Sequence, residues 1–365
     1  MSAPDEGTKP RSSVARKLAL GLGSFLVALV LVELGLRLFH PVDYRRPVTV
    51  PPGNVWVAGL HQPSNVPGLT YELRPGAIAE AKDAKGARVV VNAHGMRGPE
   101  LVEPKGARTL RIAVLGDSVA FGFGVEQDAM FTARLAAKFG ALSDRAHEYE
   151  VLDFAVTGYS SREEAAVLEA KALPLAPDVI VVAYYLNDPD FGPVNALRMA
   201  FHRTEAWERS ELLRLLAQKK DQMERARLGG GDYYRWLHAP ETDEWKSVPE
   251  AFARMHALAD ARHLKVVLAI FPTFALDVPR GATRSLFATW DEYGYAPLHA
   301  QVRAAAEKEA FVVLDVLDVF RASGKTPREL AQDPDHPNAA GHELAAEALL
   351  RLLVARHAEL LGCPR

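Results

Sequence analysis

The segment Leu110-Arg-Ile-Ala-Val-Leu-Gly-Asp-Ser118 opens a series of five apolar runs that alternate with helical stretches. Strands are predicted at residues 110–115, 151–156, 179–185, 266–271 and 311–315. Helices are predicted at residues 131–139, 163–172, 249–262, 298–309 and 340–354. Continuous apolar runs are typical of parallel strands that helices cover on both faces. The sequence therefore predicts an α/β fold, a three-layer α/β/α sandwich with a five-stranded parallel sheet.

Ser118 follows the first predicted strand directly, with Gly122 and Gly124 shortly after it. A serine at a strand-to-helix turn is exposed at the sheet edge, and neighbouring glycines let a substrate approach the backbone. Ligand sites in doubly wound sheets lie beyond the carboxyl ends of the strands. A Gly-Asp-Ser triplet alone is weak evidence, because chance produces one in roughly a tenth of chains this long. Its interpretation as a nucleophile depends on partners.

A histidine and a carboxylate of the required kind occur together in Asp333-Pro-Asp-His336, just before the last predicted helix. Serine is a poor nucleophile unless a histidine accepts its proton and a carboxylate orients that histidine. Asp333 stands three residues before His336 in a proline-braced loop and is preferred over the adjacent Asp335, which would point away. Ser118, His336 and Asp333 are therefore the predicted catalytic triad. The alternative is a metal site of Asp333, Asp335, His336 and His342, which lacks a second ligand group elsewhere.

Acyl transfer also needs preset hydrogen-bond donors where negative charge develops, an oxyanion hole. Gly158 follows the second predicted strand and Asn187 follows the third. With the Ser118 amide, they are the predicted donors. Taken singly, each is equally well explained as a turn or capping residue.

In combination, these residues resemble the SGNH, or GDSL-type, hydrolase superfamily. The serine, glycine, asparagine and histidine that name the family match Ser118, Gly158, Asn187 and His336, and its aspartate three residues before the histidine matches Asp333. The resemblance runs from about residue 111 to the last helix. It implies a flavodoxin-like fold and ester hydrolysis without a cofactor or metal. One departure is Tyr185, which stands where the asparagine block usually has glycine.

The amino terminus carries a candidate membrane anchor. Arg11, Arg16 and Lys17 precede an apolar segment at residues 18–39, which as a helix would be about 33 Å long and would cross a bilayer. Glu33 and Arg37 interrupt it, but their spacing allows them to pair near the far interface. The basic residues predict a cytoplasmic tail at 1–17 and a catalytic domain outside the cytoplasmic membrane. The alternative is a cleaved signal peptide.

The remaining chain divides into a lead-in and a hydrolase domain. Residues 40–105 are rich in proline and glycine and predict a stalk or irregular lead-in, with one strand at 87–91. Residues 106–365 form the predicted hydrolase domain, with a helical insertion at about 198–247. Its basic part, residues 198–227, is interpreted as a solvated insertion, with a lid or membrane-surface helix as the alternative.

Charge and cysteine usage exclude other classes. A net charge of −3 provides no basic field for a nucleic acid. The single cysteine, Cys363, allows neither an intrachain disulfide nor a thiolate zinc site.

The function predicted from these features is two-step hydrolysis of a small acyl ester, acetyl above all, on cell-envelope polysaccharide. Rings at Phe121, Phe123, Tyr159 and Tyr185 are expected to crowd the acyl side of the cleft. The alternatives are an O-acetyltransferase with the same triad, a lipid esterase, and a non-catalytic tethered glycan-binding module.

Overall fold

The computed structural model describes residues 12–46, 59–80, 87–142, 147–192, 196–276 and 284–360. The chain forms two compact units, one of Met1–Pro47 with Arg203–Gln222 and one of Val48–His202 with Met223–Arg365. The strands are β1 (His61–Pro63), β2 (Tyr71–Leu73), β3 (Ile78–Glu80), β4 (Arg88–Val90), β5 (Thr109–Gly116), β6 (Glu148–Asp153), β7 (Val179–Tyr184), β8 (Lys265–Ile270) and β9 (Val312–Asp315). The helices are α1 (Ser12–Phe39), α2 (Ser118–Phe121), α3 (Phe131–Leu142), α4 (Ser161–Val167), α5 (Ala196–Phe201), α6 (Glu211–Gly229), α7 (Tyr233–Leu237), α8 (Asp243–Asp260), α9 (Ala296–Lys308), α10 (Val316–Ala322), α11 (Pro327–Leu330), α12 (Ala339–Ala355) and α13 (His357–Leu360).

The last five strands form one parallel sheet in the order β6-β5-β7-β8-β9. All residues of β5 and β7 are buried, which explains their unbroken apolar character. Helices α3 and α12 pack together, as do α4 and α8, so the sheet is flanked by helices. The predicted three-layer fold and its five strands are confirmed. The second strand ends earlier than predicted, at Asp153, although Phe154 and Val156 still donate hydrogen bonds to β5.

The predicted start of one helix is wrong. Helix α8 begins at Asp243, where the Thr242 hydroxyl accepts a hydrogen bond from the Trp245 amide and caps it. Pro249, the predicted first residue, lies inside the helix. A proline fits the first turn best, but a long amphipathic helix with a packed face tolerates the loss of one backbone bond.

The lead-in is not a stalk where the structure describes it. Strands β1 and β2 form one antiparallel hairpin, and β3 and β4 form another, which confirms the strand predicted at 87–91. Leu60, Tyr71, Leu73, Val89 and Val91 are buried in the same hydrophobic core as the parallel sheet. Short apolar strands among the prolines therefore add to the core of the second unit, because burial rewards each of them.

The other unit is dominated by α1. Its residues Val14–Phe39 are long and apolar enough to cross a membrane, features that a signal sequence near the amino terminus shares. The Arg37 guanidinium contacts the Glu33 carboxylate at 2.6 Å, which confirms the predicted pairing. The predicted insertion at about 198–247 contains α6 and α7, and its residues Arg203–Gln222 belong to this unit.

Candidate active site

The turn from β5 into α2 presents Ser118 at the carboxyl edge of the sheet. Gly116 makes this turn possible at φ 158°, a region that side chains rarely adopt. A Cβ atom there would lie 2.7 Å from the Ala120 Cβ and 3.1 Å from the Ala183 carbonyl oxygen. Ser118 is the first residue of α2 and is 7% exposed. The predicted nucleophile is thus recessed but reachable.

The structure brings the three predicted triad side chains together. The His336 Nε2 lies 2.8 Å from the Ser118 Oγ, and the His336 Nδ1 lies 2.9 Å from both Asp333 carboxylate oxygens. Asp333 Oδ1 also accepts hydrogen bonds from the backbone N–H groups of His336 and Asp335 at 3.0 and 2.9 Å. These bonds fix the turn that carries the imidazole. The geometry is that of a nucleophile, a base and an orienting acid in line.

The His336 imidazole and the Asp333 carboxylate stabilise each other's charged form. Burial lowers the pKa of His336, but the hydrogen bond and negative charge of Asp333 outweigh it, so this pKa lies above its ordinary value. Burial raises the pKa of Asp333, but the bond and charge of His336 outweigh it, so that pKa lies below its ordinary value. The imidazolium that forms when His336 takes a proton is therefore favoured at this position.

Asp117 is a site residue that the sequence analysis did not single out. Its Oδ1 accepts the Val119 N–H at 2.8 Å and so caps α2, and its Oδ2 lies 3.2 Å from the Ser118 hydroxyl. Its complete burial raises the pKa of this carboxyl, although the bond from Val119 opposes the shift. An aspartate directly before a helix is an N-cap signal that predicts the first of these contacts.

Two predicted oxyanion donors are backbone amides. Gly158 lies in the turn after β6 with φ 79°, which only glycine adopts readily. Among the described residues, no acceptor for the N–H of Gly158 or of Ser118 is seen. The third is the half-buried Asn187 amide, which lowers the pKa of the neighbouring Asp117 carboxyl, while its Oδ1 has no partner within the described chain. Asp117 thus lies between the start of α2 and Asn187.

A second polar cluster, also absent from the sequence analysis, surrounds Asp335. Its carboxylate accepts bonds from Tyr185, Tyr234 and Arg284 at 2.9, 2.7 and 2.7 Å. The two tyrosine hydroxyls are 3.0 Å apart, and both rings are buried. Tyr185, the departure from the family pattern, therefore braces the residue before His336.

The expected crowding of the acyl pocket by four rings is wrong for most of them. Phe121 lies in the core, 5.0 Å from the Arg97 guanidinium, and Tyr159 lies in the core beside Tyr71. Tyr185 is buried against Tyr234. Only Phe123 of the four is partly exposed, with its ring centre 4.7 Å from that of His336. Sequence does not specify side-chain direction in these turns.

Arg97, from the turn after β4, contacts the chain at and beyond the carboxyl end of α2, the helix that begins with Ser118. Its guanidinium donates to the carbonyls of Phe121 and Gly122 at 2.7 Å each, and to Val125 at 2.8 Å. Those carbonyls lie at and just beyond the carboxyl end of α2, where a cation complements the helix dipole. The side chain is 1% exposed. The lead-in thus holds the helix that carries Ser118.

The metal alternative fails within the described residues, where no group of three or more potential ligands could hold an ion. The buried His342 ring accepts the Phe131 N–H at 3.2 Å, and Asp335 faces Arg284 instead.

Comparison of the sequence with models of known protein families gives one match. The family model described as "GDSL-like Lipase/Acylhydrolase family" matches residues 114–344. A search of curated proteins gave no match.

Several solved structures match part of the chain at low sequence identity. A lipolytic protein of the G-D-S-L family from Desulfitobacterium hafniense DCB-2 is 14% identical over 67% of this chain and 99% of its own, with a TM-score of 0.40. TesA is 18% identical over 67% of this chain and 98% of its own, with a TM-score of 0.40. The acetylxylan esterase Axe2 from Geobacillus stearothermophilus is 14% identical over 68% and 95%, with a TM-score of 0.42.

Proposed function

Since this chain belongs to the GDSL-like lipase and acylhydrolase family and is an ester-hydrolysing enzyme, we propose that it removes a small acyl group through a covalent acyl-enzyme on Ser118. The observation that carries this proposal is the continuous row of contacts from Ser118 Oγ through His336 to Asp333, with separations of 2.8 and 2.9 Å. A serine hydroxyl so placed has a base to accept its proton and an acid to hold that base in the correct tautomer.

The reaction proceeds in two balanced halves. Ser118 Oγ attacks the ester carbonyl carbon while His336 Nε2 accepts the hydroxyl proton, and the N–H groups of Ser118 and Gly158 with the Asn187 amide stabilise the oxyanion. His336 then protonates the departing alcohol as the carbon–oxygen bond breaks. Water next attacks the acyl-enzyme, His336 takes its proton, and return of that proton to Ser118 releases the acid.

We propose acetyl, or another short acyl group, as the group removed. Ser118 is only 7% exposed, and the Phe123 ring lies against His336, so a long chain would have to displace an aromatic side chain. The substrate we propose is an acyl ester on cell-envelope polysaccharide, because the catalytic unit is expected outside the cytoplasmic membrane.

The anchor proposal rests on α1, whose residues Val14–Phe39 have the length and composition of a span. Arg11, Arg16 and Lys17 precede its apolar part, which favours a cytoplasmic amino terminus. Protease added to intact spheroplasts should digest the catalytic unit, whereas full protection would contradict this orientation.

The proposed nucleophile is tested by replacement and by labelling. Ser118→Ala should abolish hydrolysis of nitrophenyl acetate and labelling by a fluorophosphonate, as read by intact mass. The matched control is Ser247→Ala, which removes another buried serine hydroxyl, in α8, and should keep both the activity and the labelling. Labelling that persists in Ser118→Ala would refute the assignment.

The acyl acceptor is tested by product analysis. Released acetate should equal the ester consumed, whereas transfer of the acetyl group to an added glycan instead of water would favour the acetyltransferase.

A further inference from the structure

Tyr71 in β2 and the turn that holds Gly158 are bonded to each other in both directions. The Tyr71 hydroxyl donates to the Thr157 carbonyl oxygen at 2.8 Å. The Tyr159 hydroxyl donates back to the Tyr71 carbonyl oxygen at 2.5 Å. Both tyrosines are at most 2% exposed. The hairpin of the lead-in therefore contacts the backbone before Gly158 and the side chain after it.

The first of these bonds acts on the peptide that contains the Gly158 N–H. In a planar trans peptide the C=O of one residue and the N–H of the next point in opposite directions. A donor that fixes the Thr157 carbonyl thus fixes the direction of the Gly158 N–H. The Tyr159 N–H closes the turn by donating to the Val156 carbonyl oxygen at 3.1 Å. Because Gly158 at φ 79° has no side chain to restrict the central peptide, outside contacts add to the fixing of its direction.

The next peptide is held as well. Arg198 in α5 donates to the Gly158 carbonyl oxygen from Nε at 2.8 Å and from Nη2 at 2.6 Å. Its guanidinium is itself held by the Glu163 carboxylate at 2.5 Å. Both peptide groups that flank the Gly158 Cα are therefore fixed by buried donors.

We propose that Tyr71 is a positioning residue of the oxyanion hole, and that the β1–β2 hairpin is thereby part of the catalytic machinery. This proposal rests on the proposed function, since it takes Gly158 as an oxyanion donor. The hairpin lies before residues 114–344, which the family model matches. Burial raises the pKa of Tyr71, so its hydroxyl keeps the proton that it donates.

The test is Tyr71→Phe in the full chain, which removes one oxygen atom and leaves the ring. With nitrophenyl acetate, kcat should fall about 10-fold or more. One oxyanion donor typically raises kcat by about 10²-fold or more, and a donor that points in the wrong direction loses part of that rate acceleration. KM should stay within about twofold, since the ground-state ester is not yet an oxyanion. The affinity for a boronic acid that forms a tetrahedral adduct with Ser118 should fall in parallel.

Tyr293→Phe is the matched control, since it removes another buried tyrosine hydroxyl, bonded to the His299 ring at 2.8 Å. It should leave kcat unchanged. A Tyr71→Phe enzyme with the kcat of the unmodified protein would overturn the proposal, while activity that persists in Ser118→Ala would overturn the proposed function instead. If Tyr71→Phe does not fold, Tyr159→Phe decides: a lower kcat at unchanged KM supports the proposal, and an unchanged kcat overturns it.

A separate observation concerns α1 and α6. The Glu33 carboxylate in α1 accepts the backbone N–H groups of Glu211 and Leu212 at 3.0 and 2.9 Å, and the Ser210 hydroxyl at 2.9 Å. It therefore caps the amino terminus of α6, where a negative charge complements the helix dipole. Helix α6 begins beside Glu33, the residue that ends the nearly unbroken apolar run at 18–32.

The exposed face of α6 combines apolar and basic side chains. Its exposed residues are Leu213, Leu216, Lys219, Lys220, Gln222, Met223, Ala226 and Arg227. None of them is acidic, because Glu211 is buried and Asp221 and Glu224 are half-buried. Apolar side chains among lysine and arginine are typical of helices that lie in the headgroup region of an anionic bilayer.

From this arrangement we infer that α6 lies on the surface of the bilayer that α1 crosses, with its exposed face against acidic phospholipid headgroups. This inference rests on the proposed anchor. Helix α6 starts beside Glu33 of α1, and a charged residue in a spanning helix costs least near the membrane interface. The exposed charges of α6 are positive, and acidic phospholipid headgroups are negative.

The test uses the full chain with Cys363→Ser, reconstituted in nanodiscs of phosphatidylglycerol and phosphatidylcholine. A fluorophore on Leu216→Cys should be quenched by lipids spin-labelled near the headgroup, and less so without phosphatidylglycerol. One on Gln218→Cys, half-buried and two residues further along α6, and so on a different side of the helix, should be quenched less. One on Phe25→Cys should be quenched by deep spin labels.

Quenching at Phe25 without quenching at Leu216 would overturn the inference and leave the anchor standing. No quenching at Phe25 would remove both. If the fluorophore at Leu216 becomes shielded from solvent in the absence of lipid, and more so as the protein concentration rises, the exposed face of α6 contacts a second copy of the chain. That result would also overturn the inference.

Discussion

The Arg284 guanidinium holds the Asp335 carboxylate through two contacts, at 2.7 and 2.8 Å, although Asp335 directly precedes His336 in the chain. Asp333, two residues earlier, contacts the imidazole instead. Two acids of one turn therefore have different environments, one contacting the His336 imidazole and one contacting the Arg284 guanidinium. This separation makes their proposed roles experimentally distinguishable.

We expect Asp333→Asn to lower kcat by about 10³-fold or more, because the imidazole would lose the acceptor that fixes its tautomer. Asp335→Asn keeps the shape of the side chain and should lower kcat about 10-fold or less, since it acts on the turn alone. Steady-state rates on nitrophenyl acetate compare the two. Equal losses in both variants would contradict Asp333 as the orienting acid.

The pH dependence follows from the raised pKa of His336. The base must be neutral to accept a proton, so kcat/KM should rise with pH through a midpoint above the ordinary histidine value of about 6.5. Asp333 raises that pKa, so in Asp333→Asn the midpoint of the residual activity should move to lower pH. A profile that is flat from pH 5 to 8 would exclude His336 as the base.

Asn187→Ala removes a proposed oxyanion donor and should lower kcat by about 10²-fold, with KM little changed. Asn187 also lowers the pKa of the buried Asp117 carboxyl, so the melting temperature is measured alongside to identify a folding defect. A variant with normal kcat and normal melting would show that the oxyanion is stabilised by other groups.

Asp153 makes stability depend on pH. Burial raises the pKa of this carboxyl to about 7, although the Ala155 N–H and the Thr132 hydroxyl bond to it. A folded-state pKa above the unfolded value of about 3.9 gives a contribution that is present below pH 4 and lost as pH rises through 7. Asp153→Asn should therefore flatten the fall in the free energy of unfolding across this range.

Asp315 is the matched control for that experiment, because its pKa is lowered by the hydrogen bond and charge of His299, which outweigh burial. Its contribution is present above the unfolded value and lost as pH falls. Asp315→Asn should change the acid side of the stability curve. The same slope change in both variants would contradict the assignment to Asp153.

Selectivity for acyl-chain length tests whether the Phe123 ring limits the size of the acyl group. For nitrophenyl esters from acetate to decanoate, kcat/KM should be highest for acetate, and Phe123→Ala should raise the value for decanoate relative to acetate by about 10-fold. A steady rise toward decanoate in the unmodified enzyme would argue for lipid esters instead.

The local pattern of the sequence was enough to predict the central fold and the candidate triad. Apolar runs bounded by turns specify buried parallel strands, and polar residues directly after those runs must meet at one edge of the sheet. Ser118, Gly158 and Asn187 were predicted in this way, and the spacing of Asp333 and His336 placed both in one turn. These inferences needed only chain order and the geometry of strands.

Tertiary structure alone decided which distant groups hold that edge in place. The bonds from Tyr71 to Thr157 and from Arg198 to Gly158 join segments 86 and 40 residues apart, and neither has a local pattern. The rings of Phe121 and Tyr159 turned into the core, because packing and hydrogen bonding choose side-chain directions that residue type does not. Hydrogen bonds between residues distant in the chain depend on how helices and strands pack, whereas the formation of a strand or turn depends mainly on residues adjacent in the chain.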